Sequence, residues 1–316
     1  MQRFLLAFLA LLALAAAPAQ AQRRIAFSFD DVPRRPGGFM TVEERTPRLI
    51  AALRRSGIRQ AAFFINPGHL AEPFGAGGEA RILAYVRAGH VIANHSFSHP
   101  SLSQVGAEAY LANIDQATAW LEHRRGYRPW FRYPYLDEGT RGQPDMSVRD
   151  AVRAGLAQRG LLNAYITVDT YDWLLDSIAG QARTAGQNLD MDALRDLYVQ
   201  IVVETAEFQD RLARETLHRQ PIQVLLMHET DLETMFLPDA VRALRARGWR
   251  IATMDEAYAD PIARIAPDAR YLGGGRIAAI AAAAGRPVRE LIPPLNEEAN
   301  LQRLFNERVL HQGTNP

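Results

Sequence analysis

Residues 26–33, AFSFDDVP, end an apolar run on two adjacent carboxylates, Asp30 and Asp31. Neighbouring like charges repel, and one is driven towards protonation unless a cation compensates. Four further stretches carry comparable groups. NHSFSH holds His95 and His99, FRYPY holds Arg132 and Tyr135, VDTYDW holds Asp169, Asp172 and Trp173, and LLMHE holds His228. Histidines four apart share one face of a helical turn, where both imidazoles reach one metal. One aspartate of the pair completes an Asp-His-His set, which leaves positions open for water and substrate, as hydrolytic sites require. The other is placed to accept a proton from the attacking water. The metal and Arg132 are the compensating cations. His228 follows the apolar VLLM and is a candidate general acid, kept protonated by charge pairing with Asp172 or Asp169. Trp173 reads equally as core or as an aromatic platform for a sugar face.

The elements that must position these groups alternate along the chain. Strands are expected at 24–32, 60–67, 90–96, 129–135, 161–169, 221–229 and 249–257. Helices are expected at 43–56, 79–89, 107–126, 147–160, across a mainly helical stretch at about 189–218, and at 233–248. Thr41 is a plausible cap and Gly57 a stop for the first helix. Parallel strands joined by helices follow, as a barrel or as an open doubly wound sheet. In both, sites form at the carboxyl ends of strands, and five strand ends here carry the polar groups. No glycine-rich phosphate loop follows the first strand, which removes the usual signature of a nucleotide-binding sheet.

The chain has 316 residues, 48 % of them hydrophobic and 22 % charged, with a net charge of +1. That balance gives no field directed at nucleic acid. With no cysteine there is no disulfide, thiol nucleophile or lipid-carrying thiol. Residues 1–21 read as an export signal. Arg3 precedes the apolar run FLLAFLALLALAAA, and Ala19-Gln20-Ala21 offers a small-residue cleavage site. The run is short for a retained anchor, and no later stretch reads as a membrane span. The expectation is a periplasmic or secreted protein whose domain covers 22–259, with 260–316 as a C-terminal extension packed on it.

These residues, in this order, resemble the five motifs of the carbohydrate esterase family 4 polysaccharide deacetylases, the NodB-homology domain. SFDD (28–31) is similar to the first motif and HSFSH (95–99) to the second. RYPY (132–135), DTYDW (169–173) and LMH (226–228) follow as the third, fourth and fifth. The resemblance spans about 24–258. It implies a distorted (β/α) barrel of about seven parallel strands and a divalent metal, usually Zn2+, with Co2+ or another ion as alternatives. Asp31, His95 and His99 would bind that metal and Asp30 would be the base. Arg132 would orient Asp30, the backbone N–H of Tyr135 would help hold the oxyanion, and Asp172 would tune the acid His228. The implied partner is an acetylated amino sugar, oligosaccharide or polysaccharide, losing N-acetyl or O-acetyl groups. Two departures stand out. Val32-Pro33 replaces the usual glycine after the aspartates, and residues 174–220 add a long helical insertion expected to form a groove wall, a lid or a dimer contact. The alternatives are a related hydrolase of another amide, of deformylase or imidase type, and a non-catalytic glycan-binding barrel.

Overall fold

The computed structural model describes residues 22–313. The export segment expected at 1–21 lies outside the described residues. Strands β1 (Arg24–Val32), β2 (Ala62–Ile65), β3 (Val91–Asn94), β4 (Tyr127–Phe131), β5 (Leu162–Asn163), β6 (Val168–Asp169), β7 (Gln223–His228) and β8 (Arg250–Ile251) are joined by eleven helices. These are α1 (Val42–Arg55), α2 (Gly78–Arg87), α3 (Leu102–Val105), α4 (Ala107–Leu121), α5 (Ser147–Gln158), α6 (Asp172–Thr184), α7 (Met191–Leu217), α8 (Asp231–Ala246), α9 (Met254–Tyr258), α10 (Gly275–Ala283) and α11 (Glu298–Arg308). Every strand pair is parallel, and the path β5-β4-β3-β2-β1-β7-β6 curls into a distorted barrel, with β8 on the start of β1.

β1 sits at the centre, between β2 and β7, and is buried on both faces, which is why its sequence is almost continuously apolar. Side chains alternate along it. Ile25, Phe27 and Phe29 join the core beneath the helices, whereas Ala26 joins the small residues of the barrel interior, among them Ala62 and Ala93. Ser28 and Asp30 continue that inward face. α1 begins where expected, with Thr41 and Glu44 bonding reciprocally to each other's backbone N–H.

Three elements differ from the sequence reading. The strand expected at 161–169 is two short strands, β5 and β6, at opposite edges of the sheet. The residues between them span the seam: the Ala164 N–H reaches Phe131 O on one edge at 2.7 Å, and the Thr167 N–H reaches Val224 O on the other at 3.0 Å. The last strand stops at Ile251, because Thr253 and Glu256 form a capping box that starts α9. Asp172 opens α6, a helix the sequence reading did not contain, and α7 is an outer-layer helix packed on α8, α10, β6 and β7 rather than a lid.

Residues 260–313 close the seam. The Arg276 N–H bonds Ile166 O at 2.7 Å, and its guanidinium lies 4.8 Å from the centre of the Tyr165 ring. Gly275 is required here: its φ is +84°, and a Cβ would come within 2.8 Å of Ile166 O. α11 packs on α6 and α7 through the buried Leu301 and Phe305, which belong to the main core. Among the described residues no helix is long and apolar enough to cross a membrane. Because the extension shares that core, Phe305→Ala should lower stability by about 3–5 kcal/mol. In urea unfolding the whole transition should shift; a barrel midpoint that stays in place while the extension melts early would show a separate unit.

Candidate functional site

The pairing register explains how adjacent aspartates reach one cleft. On β1 the partners step from Phe29 to Val32, while on β2 they step from Phe63 to Ile65, so β1 carries one extra residue. This bulge breaks the alternation of strand side chains. Asp31 takes φ +64°, a left-handed conformation that aspartate tolerates better than most residues. Asp30 stays on the inward face, opposite His228 across the β1–β7 pair. The bond after Val32 is cis, and the chain then brings the Arg34 guanidinium onto Asp31 Oδ2.

Asp31, His95 and His99 converge, with one donor atom from each lying within 4.8 Å of the others. His99 Nε2 is 3.0 Å and His95 Nε2 3.4 Å from Asp31 Oδ1. That oxygen is buried and has no hydrogen-bond partner. His95 Nδ1 is 2.9 Å from Arg132 O, an arrangement in which Nδ1–H donates and Nε2 keeps its lone pair for the cleft. The three residues therefore fit a divalent cation. Burial would raise the Asp31 carboxyl, but His95, His99 and Arg34 hold it well below the usual range. The spacing of the two histidines is not that of a helical turn. Ser96 and His99 have φ of +67° and +59°, and the loop is held by the Asn66 side-chain amide on His95 O at 2.6 Å.

Beside this set lie two buried pairs. Arg132 is 1 % exposed, and its Nη1 donates to both oxygens of Asp30 at 3.1 Å. Its other donors go to Ser28 Oγ, Tyr258 Oη and Ala164 O, and its plane covers Phe64. Asp172 receives both the backbone N–H of His228 at 2.7 Å and Nδ1 of its ring at 2.9 Å. Burial would lower the His228 pKa, but the charge and hydrogen bond of Asp172 overcome this and carry it up to about 9. Asp169 does not take this role. It is pushed up to about 6, chiefly by burial and by the charges of Asp172 and Asp30. Tyr135 is exposed, with its ring 4.5 Å from that of His99. Trp173 lies in the first turn of α6, its ring 6.0 Å from that of Tyr171.

Several supporting residues were not legible in the sequence. Glu233 lies against Asp172, and burial together with that neighbour drives its carboxyl well above the usual range. Tyr198 of α7 bonds Glu233 from the far side. Tyr258, Arg34 and Asn66 likewise come from segments without a motif. Only the Val-Pro step before Arg34 signalled that this loop is unusual.

Comparison with known proteins agrees with this geometry. Residues 17–157 match the polysaccharide deacetylase family model. A peptidoglycan-N-acetylglucosamine deacetylase of Bacillus cereus is 28 % identical over 149 residues, which are 47 % of this chain and 46 % of that protein. The chain thus spans about half the length of this curated relative. A solved peptidoglycan N-acetylglucosamine deacetylase shares the fold at 20 % identity and a TM-score of 0.50, over 75 % of this chain and 88 % of that one. A carbohydrate esterase family 4 pseudoenzyme of Bacillus anthracis does so at 19 % and 0.50, over 75 % and 66 %. Residues 17–157 are thus similar to the polysaccharide deacetylases, and the wider chain shares the fold of the solved structures.

Two outcomes are expected. Titration with Co2+ should give a visible absorption band at one ion per wild-type chain, and His99→Ala should abolish it. In an NMR titration His228 should have a pKa near 9, and Asp172→Asn should bring it below about 7, since burial then acts without the charge beside it. The sign for stability follows from linkage. Because the folded pKa lies above the ordinary 6.5, this pair stabilises fully below pH 6.5, and the contribution is lost as pH rises through about 9.

Proposed function

We propose that this chain is an exported, metal-dependent hydrolase that removes acetyl groups from an amino sugar or glycan. The observation carrying the reading is the convergence, at one strand-end rim, of three metal donors with the Asp30–Arg132 and His228–Asp172 pairs. Asp31, His95 and His99 would hold the cation, zinc in this reading, which supplies Lewis acidity that makes water a nucleophile at neutral pH. Asp30, paired with Arg132, takes a proton as water oxygen bonds to the acetyl carbon. The backbone N–H of Tyr135 donates to the oxygen that becomes negative. His228 enters the reaction protonated and delivers its Nε2 proton to the leaving nitrogen as the carbon–nitrogen bond breaks, giving acetate and a free amine. Asp172 balances the imidazolium before this transfer and fixes the ring by its bond to Nδ1. An ester oxygen in place of nitrogen gives the O-acetyl version. The N-terminal signal supports an extracytoplasmic glycan as substrate.

One observation favours a second reading, hydrolysis of a different amide by the same groups. Arg34 stands on Asp31 at the point where the first motif departs from the family pattern. The deciding assay is acetate release from chitooligosaccharides, peptidoglycan fragments and acetylxylan, with zinc restored after chelation. Metal-dependent acetate supports deacetylation; one metal per chain with no acetate from any of them moves the assignment to another amide. Asp30→Asn should lose about two to four orders of magnitude in turnover while keeping its metal. Metal loss in that variant would reverse the roles of the two aspartates.

A further inference from the structure

Next to the rim lies a cavity of about 320 Å3 whose outer wall comes from the C-terminal extension. Its inner wall includes Asp169, which lies close enough to Asp30, Asp172 and His228 to feel their charges. Another wall begins at Leu136, next in the chain to the Tyr135 that packs on His99. The cavity therefore neighbours the segments that carry the reacting groups. At 320 Å3 it is at the low end of ligand pockets, about 300–1,000 Å3, which suits a single ring rather than a chain.

The lining defines the chemistry. Gln209 is 2 % exposed, and its Oε1 has no hydrogen-bond partner, an acceptor left over in the wall. Arg141 and Arg270 are anchored only to backbone oxygens: Arg141 to Tyr135 O at 2.7 Å, Arg270 to Gln143 O at 2.9 Å and Pro144 O at 2.7 Å. A guanidinium has five N–H donors, so both forks keep donors to spare. Half-buried Tyr171 and Tyr271 supply aromatic faces for apolar C–H surface. Four carboxylates, Asp137, Glu138, Asp169 and Glu297, also line the cavity, Glu138 paired with Arg153 and Asp137 bonded to Ser101 and Ser103, which disfavours an acidic ligand. Spare donors, a spare acceptor, aromatic faces and the absence of any excess positive charge together describe a pyranose ring without an acidic group. The extension is fixed at this place by Asn296, which donates to Asp169 O and accepts from Thr205 at 3.3 Å. Gln209, Arg270 and Tyr271 all lie outside the 17–157 family match.

We propose that this cavity is a subsite for one neutral sugar ring adjacent to the ring that carries the scissile acetyl group, built by this chain's own C-terminal extension. This rests on the deacetylase reading and narrows its substrate to saccharides of at least two rings. The test is isothermal titration calorimetry of the metal-loaded protein with N-acetylglucosamine and with its β-1,4 dimer. The dimer should bind about ten-fold tighter than the monomer. Tyr271→Ala, confirmed folded by its thermal melt, should remove most of that gap by weakening the dimer more than the monomer. Gln209→Leu should narrow it in the same way, while Arg303→Ala, on the exposed part of α11, should keep it. No gap in the wild-type protein, or equal losses for both ligands in Tyr271→Ala, would overturn the subsite. Binding is read without turnover, so the two claims separate. A gap without acetate release leaves the subsite standing and sinks the deacetylase; acetate release without a gap does the reverse.

Discussion

The Arg132–Asp30 ion pair is the constraint on which the rest of the site depends. Two opposite charges sit inside a barrel lined largely by apolar side chains, among them Ala26, Ala62, Phe64, Val224 and Leu226. A lone charge there would be strongly unfavourable, and desolvation can exceed the attraction even for a pair. The structure answers with a complete set of partners. The guanidinium touches β1 through Ser28 and Asp30, the seam through Ala164, and α9 through Tyr258. Its own carbonyl also fixes the ring of His95. One residue thus ties Asp30 to the cluster of Asp31, His95 and His99 and to the seam of the sheet.

The rim is also where the backbone leaves its preferred conformations. Of the eight non-glycine residues with positive φ among the described residues, six are Asp31, Ser96, His99, Tyr135, Leu136 and Tyr171. Each costs on the order of 1 kcal/mol or more and persists only where surrounding contacts over-determine it. Those contacts are visible: Ser96 Oγ receives the His99 N–H at 3.1 Å, and Asp169 receives the Tyr171 N–H at 3.2 Å. The extended core supplies the stability that this geometry consumes. That includes α11, which makes the C-terminal segment part of the same cooperative body.

Charge on the acidic side of the site is graded by burial. The carboxyl of Asp172 is lowered by His228, while that of Glu233 behind it is raised by burial and by that same Asp172. Asp169, supported by one backbone N–H and the charge of His228, is still pushed up to about 6 by burial. The gradient depends on three segments meeting: the start of α6, the end of β7 and the first turn of α8.

Much of this was legible in the sequence. The apolar run of β1 ending in two aspartates, the paired histidines, and the arginine, aspartate and histidine at later strand ends all lie on one rim. They could be read because strand periodicity and residue chemistry are local properties. The capping box at Thr41 was equally local. The split of 161–169 into two edge strands was not, since an apolar run gives no sign of which neighbour each half will pair with. Nor was the loop geometry of His95 and His99, because a four-residue spacing fits a helical turn and a strained loop alike. Sequence by itself determined which groups are present and that they sit at strand ends. Tertiary structure decided which aspartate turns to the histidines, which acid holds His228, and that the C-terminal extension walls the cavity. These depend on a bulge, on burial and on contacts between residues more than fifty positions apart, and no local pattern encodes them.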